Sequence, residues 1–190
     1  MLVDAELRPL HPTPPWPQGP SLNNALTENI ITGCTAALNR PAVELMQRAG
    51  VPAGVRFHDW WMYLVISAFG TVVFDEQPTL LYRQHGGNQI GHGAGWAGRY
   101  VGIVRFLLRN DWVGILLAQV ASFMQHYGPQ LDPASRRHVL GMYKVHGNKA
   151  TPRWRVILGT QRLRQWPASE LAFRVLLLLH RLHIWPLRAK

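Results

Sequence analysis

The 190-residue sequence has a single cysteine, Cys34. An intrachain disulfide framework is therefore excluded, and so is a zinc module built on paired cysteines. A lone thiol fits a reducing compartment, and a cytoplasmic protein is expected. Acids are also scarce, with 10 Asp and Glu against 20 Lys and Arg. Long apolar runs are missing. The apolar stretch from Trp112 to Met124 is interrupted by Gln119 and is too short for a hydrocarbon core of about 30 Å. Met1 to Leu10 carries Asp4 and Glu6 and lacks the apolar stretch of a secretory leader, so none is expected. No Gly-Lys-Ser/Thr phosphate loop occurs, and the glycines of Gly93 to Gly98 do not directly follow a strand as a dinucleotide fingerprint must.

What is present is a globular composition, 47% hydrophobic and 16% charged, with enough length to bury a real core. The net charge of +10 is unevenly spread. Residues 1–80 hold 4 Lys and Arg against 7 Asp and Glu, whereas residues 81–190 hold 16 against 3. A basic block of this kind suits an anionic partner: nucleic acid, a phosphorylated ligand or an anionic membrane. No winged-helix, zinc-finger or RNA-binding sheet signature accompanies the charge, which argues against nucleic acid.

Residues 9–20 are proline-rich and unable to sustain a helix or an interior strand. A helix capped by Ser21 is expected over about 21–29, then a buried strand from Ile30 to Leu38 in which Gly33 permits close backbone approach. Pro41 opens a helix that ends near Gly50, and His58-Asp59 opens another that closes at Gly70. Two strands, Thr71 to Phe74 and Thr79 to Arg83, are expected around an Asp-Glu-Gln-Pro turn. Residues 86–98 hold six glycines and read as a loop. Helices are then expected over about 99–109, 112–127, 133–145 and 170–184. Alternating strands and helices followed by helices alone indicate an α/β body with a basic helical extension.

Three blocks carry chemistry: Asn29-Ile-Ile-Thr-Gly-Cys-Thr35, His58-Asp-Trp-Trp61 and Leu81-Tyr-Arg-Gln-His-Gly-Gly-Asn88. Together with Ala68-Phe69-Gly70, they resemble the family 2 glycosyltransferases, especially the bacterial rhamnosyltransferase-like members that build surface polysaccharides. The resemblance covers residues 1–95 well and the helical tail more loosely. It implies the acceptor-side half of a GT-A domain (1–95), an incomplete Rossmann-like α/β body, followed by a basic helical extension (96–190).

The resemblance makes Asp59 the general base that takes the acceptor hydroxyl proton in an inverting transfer. The plain alternative is a helix N-cap, and the two roles are compatible. Arg83 and His85 match positions that close over the donor pyrophosphate or its metal, where a forked guanidinium suits phosphate oxygens. Their plain alternative is a solvated basic strand end. Thr32, Gly33, Cys34, His58 and Trp60 fall near the substrate by the same resemblance. Local sequence reads Cys34 as a small buried core residue, and at least one of Trp60 and Trp61 as core.

Enzymes of this fold hold Mg²⁺ or Mn²⁺ on an Asp-x-Asp motif, and His85 is the one position here open to a metal-ligand role. The sole acid-x-acid triplet, Asp4-Ala5-Glu6, matches a family segment beyond that motif and is assigned no metal role. The nucleotide-binding strands have no counterpart in these residues. The expected partners are a dTDP-rhamnose-like donor and a glycan or lipid-linked saccharide acceptor. The alternative is a non-catalytic, truncated remnant that binds a glycan or a partner protein.

In the tail, Leu171, Val175, Leu178, Leu179 and Leu182 follow helical spacing, with Arg174 and Arg181 near the edges of the stripe. Such a helix lies on an anionic bilayer or packs on the body with its basic face solvated. The first reading places residues 165–190 peripherally on the inner face of a bacterial cytoplasmic membrane.

Overall fold

The computed structural model describes residues 1–12, 15–50, 52, 55–83, 111–146 and 149–184. It is mixed α and β, about half helical, with small sheets and a helical C-terminal part. The expected glycine loop over 86–98 and the helix over 99–109 lie outside the described residues. The chain forms two compact units, each assembled from separated segments. One joins Met1–Pro15 to Phe74–Asp111, and the other joins Trp16–Val73 to Trp112–Lys190. These units cut across a division of the sequence at residue 95.

The first unit holds a small sheet in the order β2-β1-β3. Strand β1 (Leu2–Val3) runs antiparallel to β2 (Pro9–His11) and parallel to β3 (Tyr82–Arg83). Pro9 is tolerated because β2 is an edge strand, where a missing donor breaks no interior ladder. The connecting turn is held by Asp4, whose Oδ1 accepts from the backbone N–H groups of Glu6 and Arg8 at 3.0 and 2.8 Å.

The second unit is organised around two helices that are apolar almost all round, α3 (His58–Phe69) and α4 (Trp112–Tyr127). Helix α3 buries Trp60, Trp61, Tyr63, Leu64 and Val65. Trp60 stacks on Trp112 with centroids 4.9 Å apart, and Trp61 meets Phe123 edge-on at 6.2 Å. Each buried aromatic removes about 150–250 Å² from water, so these rings fix α3 firmly. The short helix α1 (Leu22–Ala25) is capped by Ser21, whose side chain accepts from Asn24 N–H. Tyr63 secures it by accepting from Ser21 N–H and donating to Asn24 Oδ1. Burial pushes that phenol up to about 12, so it stays a protonated donor at neutral pH.

Helix α2 (Arg40–Ala49) begins where the sequence indicates, with Asn39 capping Ala42 N–H and proline in the first turn. It ends at Gly50, whose φ of 65° belongs to the left-handed region. Helix α5 (Pro133–Met142) is capped by Asp132, and hydrogen bonds from Ser135 and Ala134 hold that carboxyl below its ordinary range. The expected helix over 133–145 stops at Met142, and the chain turns into a hairpin of β4 (Tyr143–His146) and β5 (Lys149–Pro152). Helix α6 (Trp154–Leu158) follows, and α7 (Pro167–Arg181) starts ahead of the expected residue 170.

Two expected strands do not form. Ile30 to Leu38 is irregular around a 3₁₀ turn at Gly33–Thr35, with none of that turn buried. Short polar side chains supply competing local bonds: Asn29 Oδ1 accepts from Ile31 N–H at 3.1 Å, and Thr35 Oγ1 donates to Thr32 O at 2.8 Å. Thr71 to Phe74 keeps the exposed and half-buried alternation of a strand but does not form one.

The tail helix α7 packs on the body through Phe173 and Leu177, leaving Leu171, Val175 and Leu182 exposed. Its arginines are not simply solvated. Arg174 pairs with Glu170 at 2.7 Å and donates to the carbonyls of Gly159 and Gln161. Arg181 donates to Pro152 O and lies over the Trp154 ring, 4.8 Å from its centroid. A buried polar cluster ties the segment before α7 to α1. Glu28 pairs with Arg164 at 3.1 Å and accepts from Gln165 N–H at 2.8 Å, while Leu163 O accepts from Asn24 and Thr27.

Candidate active site around Asp59

Asp59 is the second residue of α3, with Phe57 at the N-cap making no side-chain bond. The capping alternative therefore does not hold: Asp59 lies inside the first turn. Its Oδ1 accepts from Trp60 N–H at 2.8 Å, and its Oδ2 accepts nothing among the described residues. The side chain is half-buried, and its neighbour His58 is exposed. A carboxylate in a helix's first turn lies near backbone N–H groups that have no partner within the helix.

The rigid root of this turn is Trp60, wholly buried, whose indole N–H donates to Ala25 O at 2.7 Å. Trp60 therefore supports the site from behind and presents no ring to a sugar. Trp61 is core as well. What faces the turn from the front is the 3₁₀ segment. A Cβ placed on Gly33 would come within 2.7 Å of His58 Nε2 and 3.5 Å of the Asp59 Cβ. With His58 in place, a side chain on residue 33 would collide with the imidazole, and glycine avoids this.

Two of the three sequence blocks thus converge. Thr32, half-buried, is the N-cap of the 3₁₀ turn, and Gly33 lies against His58-Asp59. Cys34 is exposed, not a buried core residue, because no strand forms here to turn it inward. Arg83 ends β3 in the first unit and is exposed, whereas Asp59 belongs to the second unit. His85 lies outside the described residues.

Sequence reasoning passed over Arg56, an exposed cation three residues before Asp59 that rests 5.7 Å from the Phe57 ring centroid. Its signal was simply a cation leading into the His-Asp pair. A shallow groove is lined by Leu38, Arg40, Val43, Glu44 and Gln47 of α2 and its approach.

Asp4 and Glu6 are engaged by Arg8. Both oxygens of Asp4 are engaged, with Arg8 Nε on Oδ2 at 2.7 Å, and Glu6 pairs with Arg8 at 3.1 Å. Among the described residues no three His, Cys, Asp or Glu side chains come together to hold a metal. No helix among them is long and apolar enough to cross a membrane. Comparison with protein-family models, with curated proteins and with solved structures returns no match.

Proposed function

We propose that the chain carries the acceptor-side chemistry of an inverting glycosyl transfer of the family 2, GT-A type, with Asp59 as general base. The observation that supports this most is the convergence of Gly33 on His58-Asp59, which leaves Oδ2 unengaged beside a backbone cleared of side-chain bulk.

In this reading an acceptor hydroxyl donates its proton to the Asp59 carboxylate as its oxygen attacks the anomeric carbon. The bond from that carbon to the donor's diphosphate breaks, and the nucleoside diphosphate leaves with the electron pair. The family resemblance alone assigns the charge on the departing oxygens to Arg83 and His85. The substrate class is a dTDP-rhamnose-like donor and a glycan or lipid-linked saccharide acceptor. Mg²⁺ or Mn²⁺ belongs to this reading through the family resemblance, and no step is assigned to it here.

Labelled dTDP-rhamnose, Mg²⁺ and lipid-linked saccharide, incubated with the chain alone and with a cell extract that supplies any further polypeptide, test the proposal. Asp59→Asn is expected to lower incorporation about 10²–10⁴-fold while leaving the circular dichroism spectrum unchanged. Undiminished turnover in that variant defeats the base assignment. No incorporation in either arrangement defeats the transfer reading. It leaves a non-catalytic saccharide-binding remnant. Saturation-transfer NMR with the saccharide alone then distinguishes that case.

A further inference from the structure

The most unusual surface in the second unit lies on α6, α7 and the segment between them. Leu158 is 75% exposed, Leu171 65%, Val175 47% and Leu182 51%. Spaced by four and seven residues, Leu171, Val175 and Leu182 occupy one face of α7. That face is turned away from Phe173 and Leu177, the residues that hold the helix to the body. Trp154 and Trp166 add two half-exposed indoles. Arg181, bonded to Pro152 O and resting on the Trp154 ring, joins α6 to the end of α7.

The exposed charge of the segments that carry this face has one sign. After Asp132 the sequence contains one acid, Glu170. It is buried, paired with Arg174, and accepts from the N–H groups of Leu163 and Arg164 at 2.9 and 2.8 Å. No carboxylate is therefore exposed among the described residues from 133 to 184, whereas Lys144, Arg153 and Arg155 are. A water-facing helix ordinarily alternates polar and charged groups there, and a face both apolar and free of negative charge is costly to leave in water. Indoles at the margin and cations around an apolar row are complementary to the headgroup boundary of an anionic bilayer.

We infer that this face docks the chain in the plane of an anionic lipid surface, with Leu158, Leu171, Val175 and Leu182 entering the acyl boundary. The inference is independent of the chemistry proposed for Asp59. It also moves the membrane contact expected from the sequence. Arg174 and Arg181 serve the body, and the charge comes instead from Arg153, Arg155 and Lys144.

Flotation of the full chain with phosphatidylglycerol/phosphatidylcholine vesicles, against pure phosphatidylcholine, tests the inference. Binding is expected to the anionic vesicles and to fall at least tenfold in the triple variant Leu171→Ser, Val175→Ser, Leu182→Ser, whose substitutions are exposed and leave the fold intact. Arg153→Gln with Arg155→Gln is expected to weaken binding and flatten its dependence on salt. Failure of the unaltered chain to float with anionic vesicles overturns the inference. So does binding that the triple variant retains in full. A dimer in sedimentation velocity that the triple variant dissolves, without vesicle binding, assigns the face to a second copy of the chain and overturns it too.

Discussion

Removing the Glu28 carboxylate tests how the tail is attached to the body. Its two oxygens accept from Asn24 Nδ2 at 3.1 Å, Arg164 Nη2 at 3.1 Å and Gln165 N–H at 2.8 Å. The paired side chains are only 13% and 15% exposed, so solvent screens them weakly. Burial pulls the Arg164 guanidinium below its ordinary value, and Glu28 and Glu170 push it back up. Glu28→Ala therefore leaves a desolvated cation with less compensation, a change that costs about 3–5 kcal/mol when one partner of a buried pair is lost. Against a total stability of about 5–15 kcal/mol, that is a large share. Glu28→Gln keeps one carbonyl acceptor and should cost less, about 1–3 kcal/mol. Glu28→Leu with Arg164→Met removes both charges and keeps apolar contact with Phe173, over whose ring Arg164 now lies at 5.6 Å. That double variant should recover most of the loss. Urea unfolding followed by tryptophan fluorescence and circular dichroism reads each value at constant m. A Glu28→Ala variant within about 1 kcal/mol of the original chain would refute the reasoning.

Two further outcomes follow from the geometry. Gly33→Ala places a methyl 2.7 Å from His58 Nε2, the mobile end of a side chain, so stability should change little. His58 must swing away, however, and its imidazole NMR shifts and any glycosyl transfer should change together. An unmoved His58 signal would show that the close approach is not maintained in solution. Burial lowers the pKa of His138 from 6.5. The unfolded chain then binds that proton first, so the stability His138 contributes is present above about pH 6.5 and is lost as pH falls toward the folded value. Thermal unfolding between pH 7.5 and 5 should show this decline, and His138→Gln should flatten it.

The helices most legible in the sequence carried their own punctuation. Asn39, Pro41 and Gly50 bound α2, and the unbroken apolar content of α3 and α4 left no polar face to place elsewhere. Ile30 to Leu38 misled because β-branched residues satisfy a strand pattern even when Asn29 and Thr35 bond their own backbone. Helix α7 shows a different limit. A leucine-rich helix has two apolar faces, and spacing alone cannot say that Phe173 and Leu177 turn inward while Leu171 and Val175 turn out. At the site, spacing gives no sign that Gly33 lies against His58, because a glycine in a β-branched run suits a strand equally well. The burial of Trp60 was not readable either, since an indole suits a sugar platform and a core equally well.

The interleaving of segments also sets an order of events during synthesis. Trp60 and Trp61 leave the ribosome long before Trp112, Phe123 and Tyr127, the rings that cover them. Glu28 waits longer still, for Arg164. The second unit therefore cannot close until Arg164 has been made. From the emergence of Trp61 to that of Tyr127 the nascent polypeptide carries two uncovered indoles, a natural target for chaperones that hold apolar segments.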